Sequence, residues 1–190
     1  MSRLLKIITL SLLFIMAHPV LAADTVRVRM QTNVGDIVLE LNREKAPASV
    51  KNFLGYVNSG FYEGTIFHRV IDGFMIQGGG YDEKYNKKPT QPPILNEANN
   101  GLKNVRGSIA MARTNIVNSA TSQFFINVKD NDALNYKNPS PRGFGYAVFG
   151  KVVEGMQTVD RIRKSRTGSG GRFRTDVPSP AIIINKVSVE

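Results

Sequence analysis

The chain has 190 residues, 42% hydrophobic and 21% charged, the composition of an ordinary globular domain. It carries no cysteine, no tryptophan and only two histidines, and its formal net charge is +10. Zero cysteine excludes disulfides, thiol nucleophiles, CxxC redox chemistry, cysteine-containing zinc sites and a lipoprotein anchor, and no motif implies a metal or a cofactor.

Residues 1–22 have the form of a secretory signal peptide. Arg3 and Lys6 supply a basic start, residues 7–16 are apolar, and Val20-Leu21-Ala22 sets small side chains at −3 and −1 of a cleavage site after Ala22. The rival reading is an uncleaved anchor, but so short an apolar run spans only about half of a ~30 Å hydrocarbon core. Cleavage leaves residues 23–190 as one domain, removes His18 and lowers the net charge to +8. His68 is then the single histidine, which excludes a two-histidine metal site and obliges any Ser-His pair to use it. Export makes a nucleic-acid partner unexpected despite the basic balance. Acidic polypeptides or anionic head groups fit better, and excess charge also serves solubility. No stable membrane insertion is expected once the leader is gone, and nothing demands an oligomer.

Residues 26–31 alternate apolar and polar, residues 33–36 (NVGD) turn, and residues 37–41 alternate again, which predicts an N-terminal hairpin. Over 47–58 the period changes: Val50, Phe53, Leu54 and Val57 fall at helical spacing, with Pro47 suited to a first turn. From Thr65 short apolar runs recur between glycines: TIFHRVI, GFMIQGGG, GSIAMAR, SQFFINV and YAVFGKVV. A second helix is predicted over 154–163, with Met156, Val159 and Ile162 on one face, and a last strand over 181–189. Many short strands with only two helices predict a mainly β fold, a closed antiparallel barrel with a helix over each open end. Segments 81–106 and 129–145 are rich in Asn, Pro, Lys and Gly and long enough to shape a binding surface. Residues 161–174 carry six basic side chains and no acid, which reads as a solvated flexible loop, with polyanion binding as the sharper alternative.

Single motifs are weak. Gln77-Gly78-Gly79-Gly80 lacks the Gly-Lys-Ser/Thr and following helix of a phosphate cradle, so backbone freedom or close packing is the better reading. His68 lacks an identifiable nucleophile or orienting acid, and the run Phe124-Phe125-Ile126 is core by default. Arg69 lies inside an apolar strand. Strict alternation puts it on one face with Phe67 and Ile71, where it must snorkel or make demanding hydrogen bonds, and a structural role is the simpler account of composition alone.

The run from Phe67 to Gly79, FHRVIDGFMIQGG, is followed in order by GSIAMA at 107–112, SQFFI at 122–126 and VFGKV at 148–152. This series resembles the cyclophilin family of peptidyl-prolyl cis-trans isomerases, over roughly residues 26–189, and the leader is similar to that of exported, periplasmic bacterial members. The resemblance implies an eight-stranded antiparallel β-barrel capped by two α-helices, which isomerises X–Pro bonds during folding of exported proteins. The partners it implies are proline-containing polypeptides and unfolded exported chains. It implies that Arg69 is the catalytic guanidinium and that Gln77 helps to hold it. Phe74, Met75, Phe125 and Leu134 would take the proline ring, with Tyr146 as an aromatic wall. Gln123 and the backbone at Ala112 and Arg113 would hold the peptide, and His68 joins the substrate-binding set. Ala133 stands where many eukaryotic members have a tryptophan, implying weak inhibition by cyclosporin. Arg113 stands in place of an asparagine, and its charge would favour acidic peptides. A proline-peptide binding module with incidental turnover fits the same motifs.

Overall fold

The computed structural model describes residues 25–190; the leader expected over 1–22 lies outside the described residues. β1 (Thr25–Thr32) and β2 (Gly35–Asn42) form the expected hairpin, paired from Thr25↔Asn42 to Thr32↔Gly35. α1 spans Pro47–Asn58, and β3 (Thr65–Ile71), β4 (Met75–Asp82), β5 (Ser108–Met111), β6 (Phe124–Asn127) and β7 (Val148–Glu154) follow. α2 covers Met156–Arg163, then β8 (Thr167–Gly170), β9 (Phe173–Pro178) and β10 (Ile183–Val189). Eight strands close into an antiparallel barrel in the order β1-β10-β3-β4-β6-β5-β7-β2, and β8 and β9 form a separate hairpin.

Two expectations are corrected. The second helix starts at Met156 rather than 154, because Glu154 still belongs to β7 and Gly155 turns the chain at φ 87°, where a Cβ would run into the Asp36 carbonyl. Residues 161–174 are not a loop: they hold the end of α2, β8 and the start of β9. Their charge concealed an extended hairpin whose polar strands carry little periodic signal.

The barrel interior is filled by one face of each strand, with Met30, Ile37, Leu39, Ile76, Ile109, Phe124, Ile126 and Phe149 fully buried. α1 sends Phe53 into this core, 5.7 Å from the Phe124 ring and 5.3 Å from Phe149. α2 adds Val159 and Ile162. The helices close opposite ends. Asn52 of α1 donates to the Thr121 carbonyl just before β6, whereas Arg163 of α2 reaches Asp72 just after β3 and Asp160 accepts from Arg106 just before β5. Gly79, at φ 79°, supports the close-packing reading of the glycine run. A Cβ there would stand 2.8 Å from the rings of Tyr62 and Phe124.

α1 begins at a proline and has no cap of its own. Its orphan N–H groups at Ala48 and Ser49 are met instead by Glu97, whose carboxylate oxygens accept them at 2.9 and 2.8 Å, with the Ser49 hydroxyl at 2.7 Å. The segment 81–106 is thereby pinned to the helix by charge-assisted bonds at the positive end of its dipole. Glu97→Ala should lower stability by about 2 kcal/mol, measured as a lower urea midpoint at unchanged slope, without altering the far-ultraviolet circular dichroism of the native state.

Candidate active site

The strand faces that point away from the barrel interior build a second, smaller apolar cluster. Phe124 and Ile126 of β6 face inward, so Phe125 faces out. By the same alternation Met75 of β4, Ala110 of β5 and Val148 of β7 join Phe125, all nearly fully buried. Ile71, Phe74, Ala112, Leu134 and Tyr146 pack around them. The expectation that Phe124-Phe125-Ile126 is simply core is therefore divided: two rings of one run serve different cores.

Arg69 reaches this face through a β-bulge. Phe67 pairs with Gly78 and Arg69 with Gln77, so two steps along β3 match one along β4 and His68 is the extra residue. The bulge breaks the strict alternation expected here. Phe67 and Val70 enter the barrel core, while Arg69 and Ile71 lie on the outer side. Arg69 is 44% exposed, and among the described residues it makes no side-chain hydrogen bond; the Asp176 carboxylate stands 3.9 Å from its Nε.

A cavity of about 110 Å³ is lined by Arg69, Phe74, Met75, Gln77, Ala112, Arg113, Phe125, Leu134 and Tyr146. Its walls are set by direct contacts. The Phe125 and Tyr146 rings meet edge-on at 5.6 Å. The Arg113 guanidinium lies 4.9 Å over Tyr146 and donates to the carbonyls of Gly145, Thr114 and Pro141 at 2.9, 2.9 and 3.0 Å. Gln77 donates to the Gln123 side chain at 2.9 Å, and the Gln123 carbonyl accepts the Ala112 N–H at 2.9 Å. A larger cavity of about 610 Å³ lies between α1 and residues 89–94, but Asn52, Tyr56 and Ser59 in its lining are each already hydrogen-bonded within the chain.

Of the residues expected at the site, His68 and Gln123 do not line the cavity. His68 is only 3% exposed and is covered by Tyr81 at 4.7 Å and by Phe173 of β9 at 5.3 Å. The bulge that frees Arg69 turns His68 away from it. Gln123 stands behind Gln77 as its hydrogen-bond partner. Gln77 makes no hydrogen bond to Arg69 and holds it only as its cross-strand neighbour.

Sequence reasoning missed the buried asparagines under the site. Asn131 donates to the Phe74 carbonyl at 2.8 Å and to Asn127 Oδ1 at 2.7 Å. Asn127 donates to Asn104 at 3.1 Å and to Ser108 at 2.9 Å. Asn104 donates to the carbonyls of Leu134 at 3.2 Å and Tyr146 at 3.3 Å. Three pocket residues are thus tied by their main chain to one buried network, which is costly unless complete. An asparagine-rich stretch is the only trace of it in the sequence, and turns give the same trace.

A model of the cyclophilin type peptidyl-prolyl cis-trans isomerase/CLD family matches residues 27–189. Peptidyl-prolyl cis-trans isomerase B of Escherichia coli (strain K12) is 56% identical over 162 residues, covering 85% of this chain and 98% of that protein. Peptidyl-prolyl cis-trans isomerase A of Dickeya dadantii (strain 3937) is 51% identical over 189 residues, covering 99% and 97%. The crystal structure of a Cryptosporidium parvum cyclophilin type peptidyl-prolyl cis-trans isomerase in the presence of the dipeptide Ala-Pro is similar with TM-score 0.70 and 31% identity, over 86% of this chain and 98% of that one.

Burial holds the His68 imidazole neutral and lowers its pKa from 6.5 to about 4; the Ile66 carbonyl opposes this and the Arg69 charge adds to it. Between those two pH values the unfolded chain binds more protons than the folded one. Stability should therefore fall as pH drops from 6.5 towards 4, by about 3 kcal/mol at 1.36 kcal/mol per unit. Urea midpoints across that window should show the fall in the wild type and a flatter curve in His68→Gln.

Proposed function

The chain belongs to the family of cyclophilin-type peptidyl-prolyl cis-trans isomerases, and we propose that it rotates X–Pro bonds of exported polypeptides with Arg69 as its catalytic residue. The uncatalysed rotation takes tens of seconds or longer because the C–N bond has partial double-bond character. Millisecond turnover requires about 10⁴-fold acceleration, roughly 5.4 kcal/mol at 1.36 kcal/mol per decade. Twisting the bond removes resonance, and the proline nitrogen becomes pyramidal and gains a lone pair. A guanidinium beside that nitrogen bonds to it only in the twisted state, which is the differential binding that accelerates a step.

One observation carries the reading: the Arg69 guanidinium, half-exposed and without a hydrogen bond among the described residues, stands at the rim of a small cavity lined by Phe74, Met75, Phe125 and Leu134. Phe74, Met75, Phe125 and Leu134 receive the proline ring and Tyr146 closes the side. With one end fixed there, the other rotates past Arg69. Because the Ala112 N–H is already donated to Gln123, the peptide is held by the remaining main-chain groups of residues 112–113. Gln77 and Gln123 brace one another behind it. No proton moves and no bond breaks, so the buried neutral His68 has no part in the step. The related structure obtained with Ala-Pro supports a proline-containing peptide as substrate.

Export from the cytoplasm to the periplasm rests on the leader reading. Its support is the similarity to the Dickeya protein, which extends over 99% of this chain and so into the N-terminal segment. Cleavage after Ala22 leaves residues 23–190 as the working domain. Ala133, exposed on the short turn before Leu134, offers cyclosporin no indole, and weak inhibition follows.

Arg69→Ala should lower kcat/KM on an Ala-Pro peptide by about 10- to 100-fold, the worth of one charge-assisted bond, with Arg69→Lys between the two. Exchange NMR between the cis and trans peptide measures it directly, and an Arg69→Ala protein with wild-type exchange rates refutes the assignment. N-terminal sequencing of the exported protein should begin at Ala23; an intact leader on the exported protein rules out the cleavage reading.

A further inference from the structure

The β8–β9 hairpin lies outside the barrel, yet it is seated on the strand that carries the site. Phe173 at the start of β9 packs on His68 at 5.3 Å and on Tyr81 at 5.0 Å, with Tyr85 at 6.4 Å, so an aromatic cluster covers the bulge from outside. Three residues further along β9, Asp176 is held at φ 67°, a left-handed conformation that asparagine and aspartate tolerate better than other side-chain-bearing residues. Among the described residues it is the one acid within 4 Å of Arg69, with its Oδ2 3.9 Å from Nε. That is ion-pair distance and too long for a hydrogen bond. The carboxylate is placed on the Nε side of the guanidinium.

We propose that Asp176 is a positioning residue for the isomerisation: its carboxylate, delivered by the β8–β9 hairpin, draws the Nε edge of Arg69 and so presents the terminal nitrogens to the twisting amide. The proposal rests on the assignment of Arg69 as the catalytic residue. An arginine with four rotatable side-chain bonds and no hydrogen bond loses much of its conformational freedom each time it meets the transition state. A carboxylate carried on a hairpin that Phe173 anchors to the same strand restricts it beforehand. At this exposure a single pair contributes modestly, and solvent screens it.

The test uses Asp176→Asn, which keeps the shape and the tolerance for positive φ, and Asp176→Gly, which relieves the backbone and also lacks the carboxylate. Both should lower kcat on an Ala-Pro peptide about two- to five-fold with KM unchanged. Added salt should narrow the gap to the wild type, and the ¹⁵N-detected Arg69 Nε–H signal should shift and exchange faster with water. In an Arg69→Ala background, Asp176→Asn should have no further effect. A wild-type kcat and an unmoved Arg69 signal in Asp176→Asn overturn the role of Asp176 while leaving Arg69→Ala free to confirm the site. A raised kcat also overturns it, since it makes the carboxylate a competitor. Full turnover in Arg69→Ala instead removes the assignment on which the proposal rests.

Discussion

The extra residue in β3 is the constraint on which both cores depend. Without a bulge at His68, two residues of separation would put Arg69 on the same side as Phe67, inside a barrel packed with aliphatic and aromatic side chains. A guanidinium there has no partner, and burying it unpaired costs far more than any single packing contact returns. With the bulge, Phe67 and Val70 complete the interior and Arg69 stands outside it. The displaced imidazole must then be covered. The hairpin that covers it is the same element that brings a carboxylate to Arg69, so the bulge, its cover and the counter-charge form one unit.

The outer pocket is built more cheaply than a separate domain would be. Strands already ordered by the interior present their alternate side chains for nothing more, and Met75, Ala110, Phe125 and Val148 form a floor with no backbone of their own to fix. The walls are harder, since Phe74, Leu134 and Tyr146 come from turns and loops that have no ladder to hold them. Buried amides supply that missing ladder by taking the three carbonyls. Arg113 does the same at the rim, donating to three carbonyls while stacking on Tyr146. Its charge has no carboxylate partner among the described residues, so a positive rim and a rigid wall come from one side chain.

Much of this was legible in advance. The two helices and the N-terminal hairpin follow from hydrophobic period, because each has one face in a common interior and that burial writes itself into the spacing. β3 is legible only as an apolar run, since its bulge breaks the alternation. The pocket residues of β4 and β6 were legible through the motifs rather than through period, since an outward apolar residue between inward ones looks like a fully buried strand. What stayed hidden has local causes. A bulge is a mismatch of register between two strands and leaves no mark in one of them. The β8–β9 hairpin is polar on both faces except at Phe173, Val177 and Pro178, so basic side chains masked it. Of the three networked asparagines, Asn104 and Asn131 lie in segments whose composition already signalled turns, and Asn127 closes the apolar strand β6.

Closure of the eight-stranded sheet has a consequence for the company this protein keeps. The proline-containing peptides on which a prolyl isomerase acts carry backbone N–H and C=O groups able to pair with an exposed strand. An open sheet would offer them a template, and peptide and enzyme would zip together edge to edge. Here every barrel strand is paired on both sides. A peptide is therefore met by a small pocket and the main-chain groups beside it rather than by a barrel edge.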